Sequence, residues 1–230
     1  MSYKRIWALV LRHLYNFRHN LDNLSDSFYW PAIDILIWGL TFRYVEASDV
    51  EIPNVIVLML SALIFWQVVW RGQYEITRSF LEEIWNRNLV NIFSSPLTIS
   101  EWVTGVVILG VVKLSFTFLF SIFLAWALYA VNIFSFGFLL LPFLMSLLMM
   151  GWWVGVLVTG LLVYFGKNIQ TLAWAGVYLL FPFSAIYYPV ASLPVWAQYV
   201  AKLVPSSYVF EGMRNVVLSG QMDYKWIIRC

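Results

Sequence analysis

Two ionisable side chains stand inside long apolar stretches of this sequence. Asp34 lies about 8 residues into the stretch 27–46, and Lys113 about 11 residues into the stretch 102–131. On helices these positions are roughly 12 Å and 17 Å from the point of entry. A charge held in hydrocarbon is costly, and is paired or functional. The functional chemistry would be a proton or substrate site. One acid and one base do not make a relay, so the expectation is a structural ion pair between Asp34 and Lys113. Other chemistry is poorly supplied. The only histidines, His13 and His19, are six residues apart and do not share a helix face. The one cysteine, Cys230, allows neither an intrachain disulfide nor a cysteine metal site. No metal site is expected. There is no glycine loop ending in lysine to hold a nucleotide phosphate, and no credible Ser-His-Asp arrangement. A lipid-modifying membrane enzyme would need acids or histidines clustered at the interface. A secondary transporter or channel would favour several intramembrane charges or repeated halves. Both stand as alternatives with little in their favour.

The elements that must carry these residues are set by composition. Apolar residues make up 62% of the chain and charged residues 11%, against roughly 45–50% and about 25% in soluble domains. A crossing needs about 20 apolar residues, so the 230 residues hold one transmembrane domain, all-α and integral to the membrane. The segments 27–46, 53–71, 102–131, 136–165 and 171–189 read as five spans. Residues 3–21 repeat Tyr3, Ile6, Trp7, Val10, Leu11, Leu14 and Leu21 at helical spacing, opposite Arg5, Arg12, Asn16 and His19. That pattern suits an amphipathic helix in the headgroup layer. A helix packed on the rest of the protein would look similar. Residues 194–219 form two short helices, too short to cross, begun by Pro194 and separated by Pro205.

Between the second and third spans, residues 78–93 keep a helical apolar period through Phe80, Leu81, Ile84, Trp85, Leu89 and Ile92 while carrying acids and bases. A polar segment with a sustained apolar face is expected to dock on something. On the fourth span Gly151, Gly155 and Thr159 are spaced by four, which lets backbones approach closely. This serves either a subunit interface or packing within the chain. Trp102, Trp126, Trp152, Trp153 and Trp174 line a path or anchor the spans at the interface. Loop charge sets the orientation. Lys4, Arg5, Arg12, Arg18, Arg71, Arg78, Arg87 and Lys167 fall on one side, and the loops 46–53 and 130–138 hold no Lys or Arg. Cytoplasmic loops carry the excess of positive charge, so the N-terminus is expected in the cytoplasm.

Taken in order, these features resemble the type-two ABC transporter permeases, with a start to the first span (Tyr29-Trp30-Pro31-Ala32-Ile33-Asp34) like the drug-exporter branch. Ser95-Pro96-Leu97 and Glu101 look family-like. So do Leu193-Pro194-Val195-Trp196, Pro205-Ser206-Ser207-Tyr208 and Glu211-Gly212-Met213-Arg214, similar to the family's extracellular helices before a sixth span. The resemblance implies a permease bundle with five of an expected six transmembrane helices present, the sixth missing from a fragment or truncated chain. It implies that 3–21 is the interface helix and 78–93 a cytoplasmic coupling helix, with Arg78, Glu82, Glu83, Trp85 and Arg87 as coupling residues. The implied partners are ABC ATPase subunits, which would bind the ATP and Mg, and a second permease copy or paralogue. No cofactor is expected on this chain, and no nucleic acid. The implied setting is a multi-pass protein of the inner membrane exporting an amphiphile, a lipid or a polysaccharide.

Overall fold

The computed structural model describes residues 1–19, 21–47 and 54–219. All regular structure among them is helical. In order come α1 (Tyr3–His19), α2 (Leu21–Glu46), α3 (Val55–Trp85), α4 (Leu89–Ser94), α5 (Ile99–Tyr129) and α6 (Leu140–Phe165), then the short helices α7 (Leu172–Ala175), α8 (Val195–Ala201) and α9 (Pro205–Ser219).

Among the described residues three stretches are long and apolar enough to cross a bilayer: α3, α5 and Ile133–Phe165, with mean hydropathies of 1.8, 2.3 and 2.3. The last begins with a 3-10 segment, Ile133–Leu139, that leads into α6. The 31 residues of α3 and of α5 reach about 46 Å, against a hydrocarbon core of roughly 30 Å, so each projects past the bilayer. The 26-residue α2 is long enough to cross, but its acids keep it out of that apolar class.

Two expectations about the elements change, the end of the second span and the single helix over 78–93, and two elements are specified further, the fifth segment that Pro182 interrupts and the N-terminal helix. The second span does not stop at Arg71. It continues as one helix to Trp85, because the polar residues beyond Arg71 find partners within the chain. The helix expected over 78–93 is therefore two pieces. The end of α3 is capped by the Asn86 amide, Arg87 takes a left-handed φ of 52°, and α4 starts at Leu89. The fifth span is broken. After α7 the chain makes 3-10 turns at Gly176–Leu179 and Phe181–Phe183. Pro182 lacks an amide hydrogen and cannot continue a helix through this segment. The N-terminal helix, finally, does not stand apart from the spans. It runs alongside α5: Ser2 reaches Glu101, Leu9 packs at Gly105, and Phe17 lies 5.3 Å from the Lys113 ammonium. Its packed face holds Ile6, Leu9, Val10 and His13. Tyr3, Trp7, Leu11 and Tyr15 are exposed as a separate stripe.

The core forms around α3. In its most apolar window 78% of residues are buried, against 44% for α5 and 39% for the stretch containing α6. The outer helices keep apolar faces uncovered, such as Phe116, Leu119, Phe123 and Trp126 on α5, as lipid-facing helices do. α6 runs parallel to α3 at very short range. A methyl group added at Gly151 would meet the Val69 carbonyl oxygen at 2.5 Å, and one at Gly155 would meet the Gln73 carbonyl oxygen at 3.1 Å. The spaced small residues thus pack α6 on α3 within one chain, while Thr159 Oγ1 is buried with no partner. Finally, α9 returns to pack on α6 and α3.

Candidate functional site

From Arg71 to Glu82 the polar side chains of α3 form two rows on different faces: Arg71, Glu75, Arg78 and Glu82 on the side of α2 and α5, and Gln73 and Thr77 on the side of α7. Glu75 is buried at 2% exposure and accepts from Lys113 Nζ at 2.8 Å and from Arg71 Nη1 at 3.3 Å. Arg71 also donates to the Asp26 carbonyl oxygen. One turn further on, Asp26 accepts from the Tyr74 hydroxyl at 2.9 Å and pairs with Arg78, which also donates to Glu82 at 2.9 Å. Many of these contacts repeat at i and i+4 on the same helix, which is why the helix persists through so polar a segment. The pair expected between Asp34 and Lys113 is not formed. Lys113 takes Glu75, which lies on the neighbouring α3 and shares Arg71 with it. Asp34 takes part in none of these pairs.

The second row, Gln73 and Thr77, repairs the broken fifth segment. Gln73 donates to the Ala173 carbonyl oxygen at 2.7 Å and accepts from the Val177 amide at 3.2 Å, and Thr77 donates to the Ala173 oxygen at 3.1 Å. Irregular backbone at membrane depth is tolerated where protein groups satisfy its freed donors and acceptors, and here α3 supplies them.

Between α2, α3, α5 and this broken segment lies a cavity of about 670 Å³. Its walls are aromatic, with Trp30, Trp38, Trp66, Trp70, Trp174, Tyr178, Phe181 and Tyr187, and Asp34 lines it half-exposed. The Trp38, Phe42 and Tyr187 rings form one cluster, and Trp66, Tyr178 and Phe181 another. Of the tryptophans singled out in the sequence, Trp174 belongs to this cavity and Trp102 to a smaller apolar one, whereas Trp126 and Trp153 are exposed and Trp152 packs against the core.

At the far end of α3 the expected coupling residues divide. Glu83 is buried, paired with Arg12 and accepting from Asn88 Nδ2 at 2.6 Å. His13 sits 3.9 Å from it, but burial first and Arg12 second hold the His13 pKa below 6.5, so the contact is not an ion pair at neutral pH. Arg78 and Glu82 belong to the Asp26 network. Trp85, 49% exposed, and Arg87 face outward at the turn, with Val90 beyond them. The turn is held from below. Thr98 and Glu101 form a reciprocal capping box at the start of α5, and Glu101 also accepts from the Ser2 amide at 2.6 Å and pairs with Arg5 at 3.3 Å. The motif near the end of the chain has a structural role. Glu211 accepts from the Val190 amide at 3.1 Å, Arg214 donates to the Ala185 carbonyl oxygen at 3.0 Å, Gly212 is buried, and Pro194 and Pro205 begin α8 and α9. Among the described residues no three His, Cys, Asp or Glu side chains converge as a metal site would require.

A bundle of long apolar helices around a central helix with polar rows is the architecture of a multi-pass membrane protein. The sequence pattern of the ABC-2 type transporter family matches residues 4–218, nearly the whole chain. The chain belongs to that family, and it is a permease subunit of an ABC transporter, not itself an enzyme. No curated protein matches it.

Residues that sequence reasoning missed are Arg71, Gln73, Glu75 and Thr77. Arg71 closes the segment read as the second span and the other three fall between it and the helix expected from 78, where the sequence carries no expectation. Their i, i+4 complementarity was the available signal.

Proposed function

We propose that this chain is the permease of an exporter of the inner membrane, working as one of two permease copies or paralogues with two cytoplasmic ABC ATPase subunits. The ATPases bind and hydrolyse ATP with Mg, and grip the α3–α4 turn through Trp85 and Arg87. The aromatic cavity receives the cargo. Members of the family work with ABC ATPases, which supports the partner. The observation that carries the reading is the exposure of Trp85 at the tip of α3, a helix that is otherwise enclosed, and of Val90 just past the turn on α4. Because α3 is continuous from that tip to the cavity wall at Trp66 and Trp70, a push at the tip moves the wall. Arg5, Arg12, Arg78 and Arg87 gather at this end of the bundle, which supports a cytoplasmic N-terminus. The exposed Tyr3-Trp7-Leu11-Tyr15 stripe is what a helix at the headgroup layer presents.

The test is Trp85→Ala in the permease–ATPase complex. The expected result is normal membrane insertion, continued basal ATP hydrolysis and loss of transport, with Trp85→Phe retaining most transport. Unchanged transport in the alanine variant refutes the gripping role.

A further inference from the structure

The charges around the cavity nearly balance, and the imbalance has an address. Arg71 and Lys113 share Glu75, and Arg78 holds Asp26 and Glu82. Three cations therefore face three carboxylates. Asp34 is a fourth carboxylate, in the same cavity and outside every one of these pairs. Arg71 also lines the cavity, but it is almost fully buried and both terminal nitrogens are engaged, with Glu75 and with the Asp26 carbonyl. It offers no free charge.

The rest of the surface narrows the chemistry. The polar atoms of Trp66 (Nε1), Gln67 (Nε2) and Thr117 (Oγ1) are covered, so although these residues line the cavity they present little to a hydroxyl-rich ligand. What remains is indole and phenol faces with two carboxylates among them: Asp26, held by Tyr74 and Arg78, and the unpaired Asp34. Aromatic faces attract cations through the ring quadrupole, most strongly when water is excluded. A carboxylate in an apolar site is stabilised by an opposite charge, and repels an anion. The volume of about 670 Å³ falls in the range of roughly 300–1,000 Å³ that holds a drug-sized ligand.

From this juxtaposition of Asp34 with the Trp38, Trp174, Tyr178 and Tyr187 rings, we propose that the cavity selects amphiphiles carrying an ammonium group, with the cation against Asp34 and the apolar body along the aromatic wall. This rests on the reading of the chain as an exporter permease, and specifies its cargo. Asp34 is then the residue that discriminates by charge, and no buried partner within the protein needs to supply its counter-ion.

The experiment uses the permease–ATPase complex in lipid nanodiscs and three probes sharing a dodecyl chain: dodecyltrimethylammonium, dodecyl glucoside and dodecanoate. Tryptophan quenching reads binding, and ATP hydrolysis reads coupling. The cation should bind at least about tenfold more tightly than the neutral probe, the scale of one desolvated cation–aromatic and charge contact. Asp34→Asn should abolish that preference, while Asp34→Glu keeps most of it. Tyr187→Leu should weaken the cation and leave the neutral probe little changed. If Asp34→Asn does not fold, the glutamate and leucine variants decide, and an unchanged preference in Tyr187→Leu overturns the proposal. Equal binding of all three probes by the unsubstituted complex also overturns it. The two readings fail separately. Loss of cation preference with Trp85→Ala still uncoupling leaves the permease reading standing. Asp34-dependent cation binding in a chain with no ATPase partner leaves only the binding site.

Discussion

Removal of Glu75 should damage this protein more than removal of either cation it holds. The Glu75 carboxylate bonds to Lys113 at 2.8 Å and to Arg71 at 3.3 Å, and both cations are nearly buried. In Glu75→Gln two positive charges remain in a poorly solvated interior with no anion between them. Breaking a buried pair from one side costs about 3–5 kcal/mol, and here the upper end applies because two cations are stranded. In Lys113→Met the carboxylate keeps Arg71, and the methionine stem fills the space beside Phe17. The loss is then nearer to that of one charged hydrogen bond, about 1.5–3 kcal/mol. The double variant removes one of the stranded cations and should recover at least about 1 kcal/mol of the single glutamine loss, as coupled neighbours do. Reversible unfolding in mixed micelles, followed by tryptophan emission, measures all three. The reasoning fails if Lys113→Met is as damaging as Glu75→Gln, or if the double variant loses the plain sum of the two singles.

Other outcomes follow from single contacts. Gly151→Ala places a methyl 2.5 Å from the Val69 carbonyl oxygen and should cost about 1–3 kcal/mol, as overpacking does. Gly160→Ala on the same helix meets nothing within 4 Å and should gain up to ~1 kcal/mol from helix propensity, so the pair of thermal midpoints separates packing from propensity. Glu101→Ala breaks the capping box and frees the Ser2 amide, at a cost of about 1 kcal/mol. Its sign is faster hydrogen exchange at the start of α1, with the cavity-facing half of α3 unaffected. His13, facing Arg12, Glu82, Glu83 and Lys113, has a folded pKa below its ordinary 6.5, chiefly through burial. The neutral form is favoured in the fold, so this contribution to stability is complete above pH 6.5 and declines as pH falls below it. The docking of α1 should loosen on acidification in the parent and lose that dependence in His13→Gln, measured by protease accessibility of residues 3–19. An identical pH profile in both proteins would remove His13 from the account.

The helical membrane architecture was legible because apolar run length is a direct consequence of bilayer thickness. The start of α8 was legible for a local reason, since Pro194 acts within one turn, whereas the capping box that starts α5 at Ile99 went unread and Pro205 opens α9 where it was expected only to separate two helices. The end of α3 was not legible. Arg71, Gln73 and Glu75 read as water-facing by type, and only their partners on α2, α5 and α7 make them interior. The partner of Lys113 was misassigned for the same reason, because Glu75 lay outside the expected elements and Asp34 was the one acid left in view. The fifth segment was legible in part, since Pro182 marks an interruption in it. Its apolar run is long enough, but Pro182 and the close approach at Gly176 break it, and what makes the break tolerable is Gln73, a hundred residues away in the chain. Trp85 and Arg87, expected inside one helix over 78–93, stand exposed at a turn, while Glu83 from the same group turns inward to Arg12.

The capture of the Ala173 carbonyl by Gln73 and Thr77 has a mechanical consequence. Sliding residues 172–177 along α3 would strand a carbonyl, an amide and a side-chain amide together where no water replaces them. That wall of the chamber is therefore pinned in register by hydrogen bonds, whereas α2 opposite meets it through the rings of Trp38, Phe42 and Tyr187, contacts that fix no register.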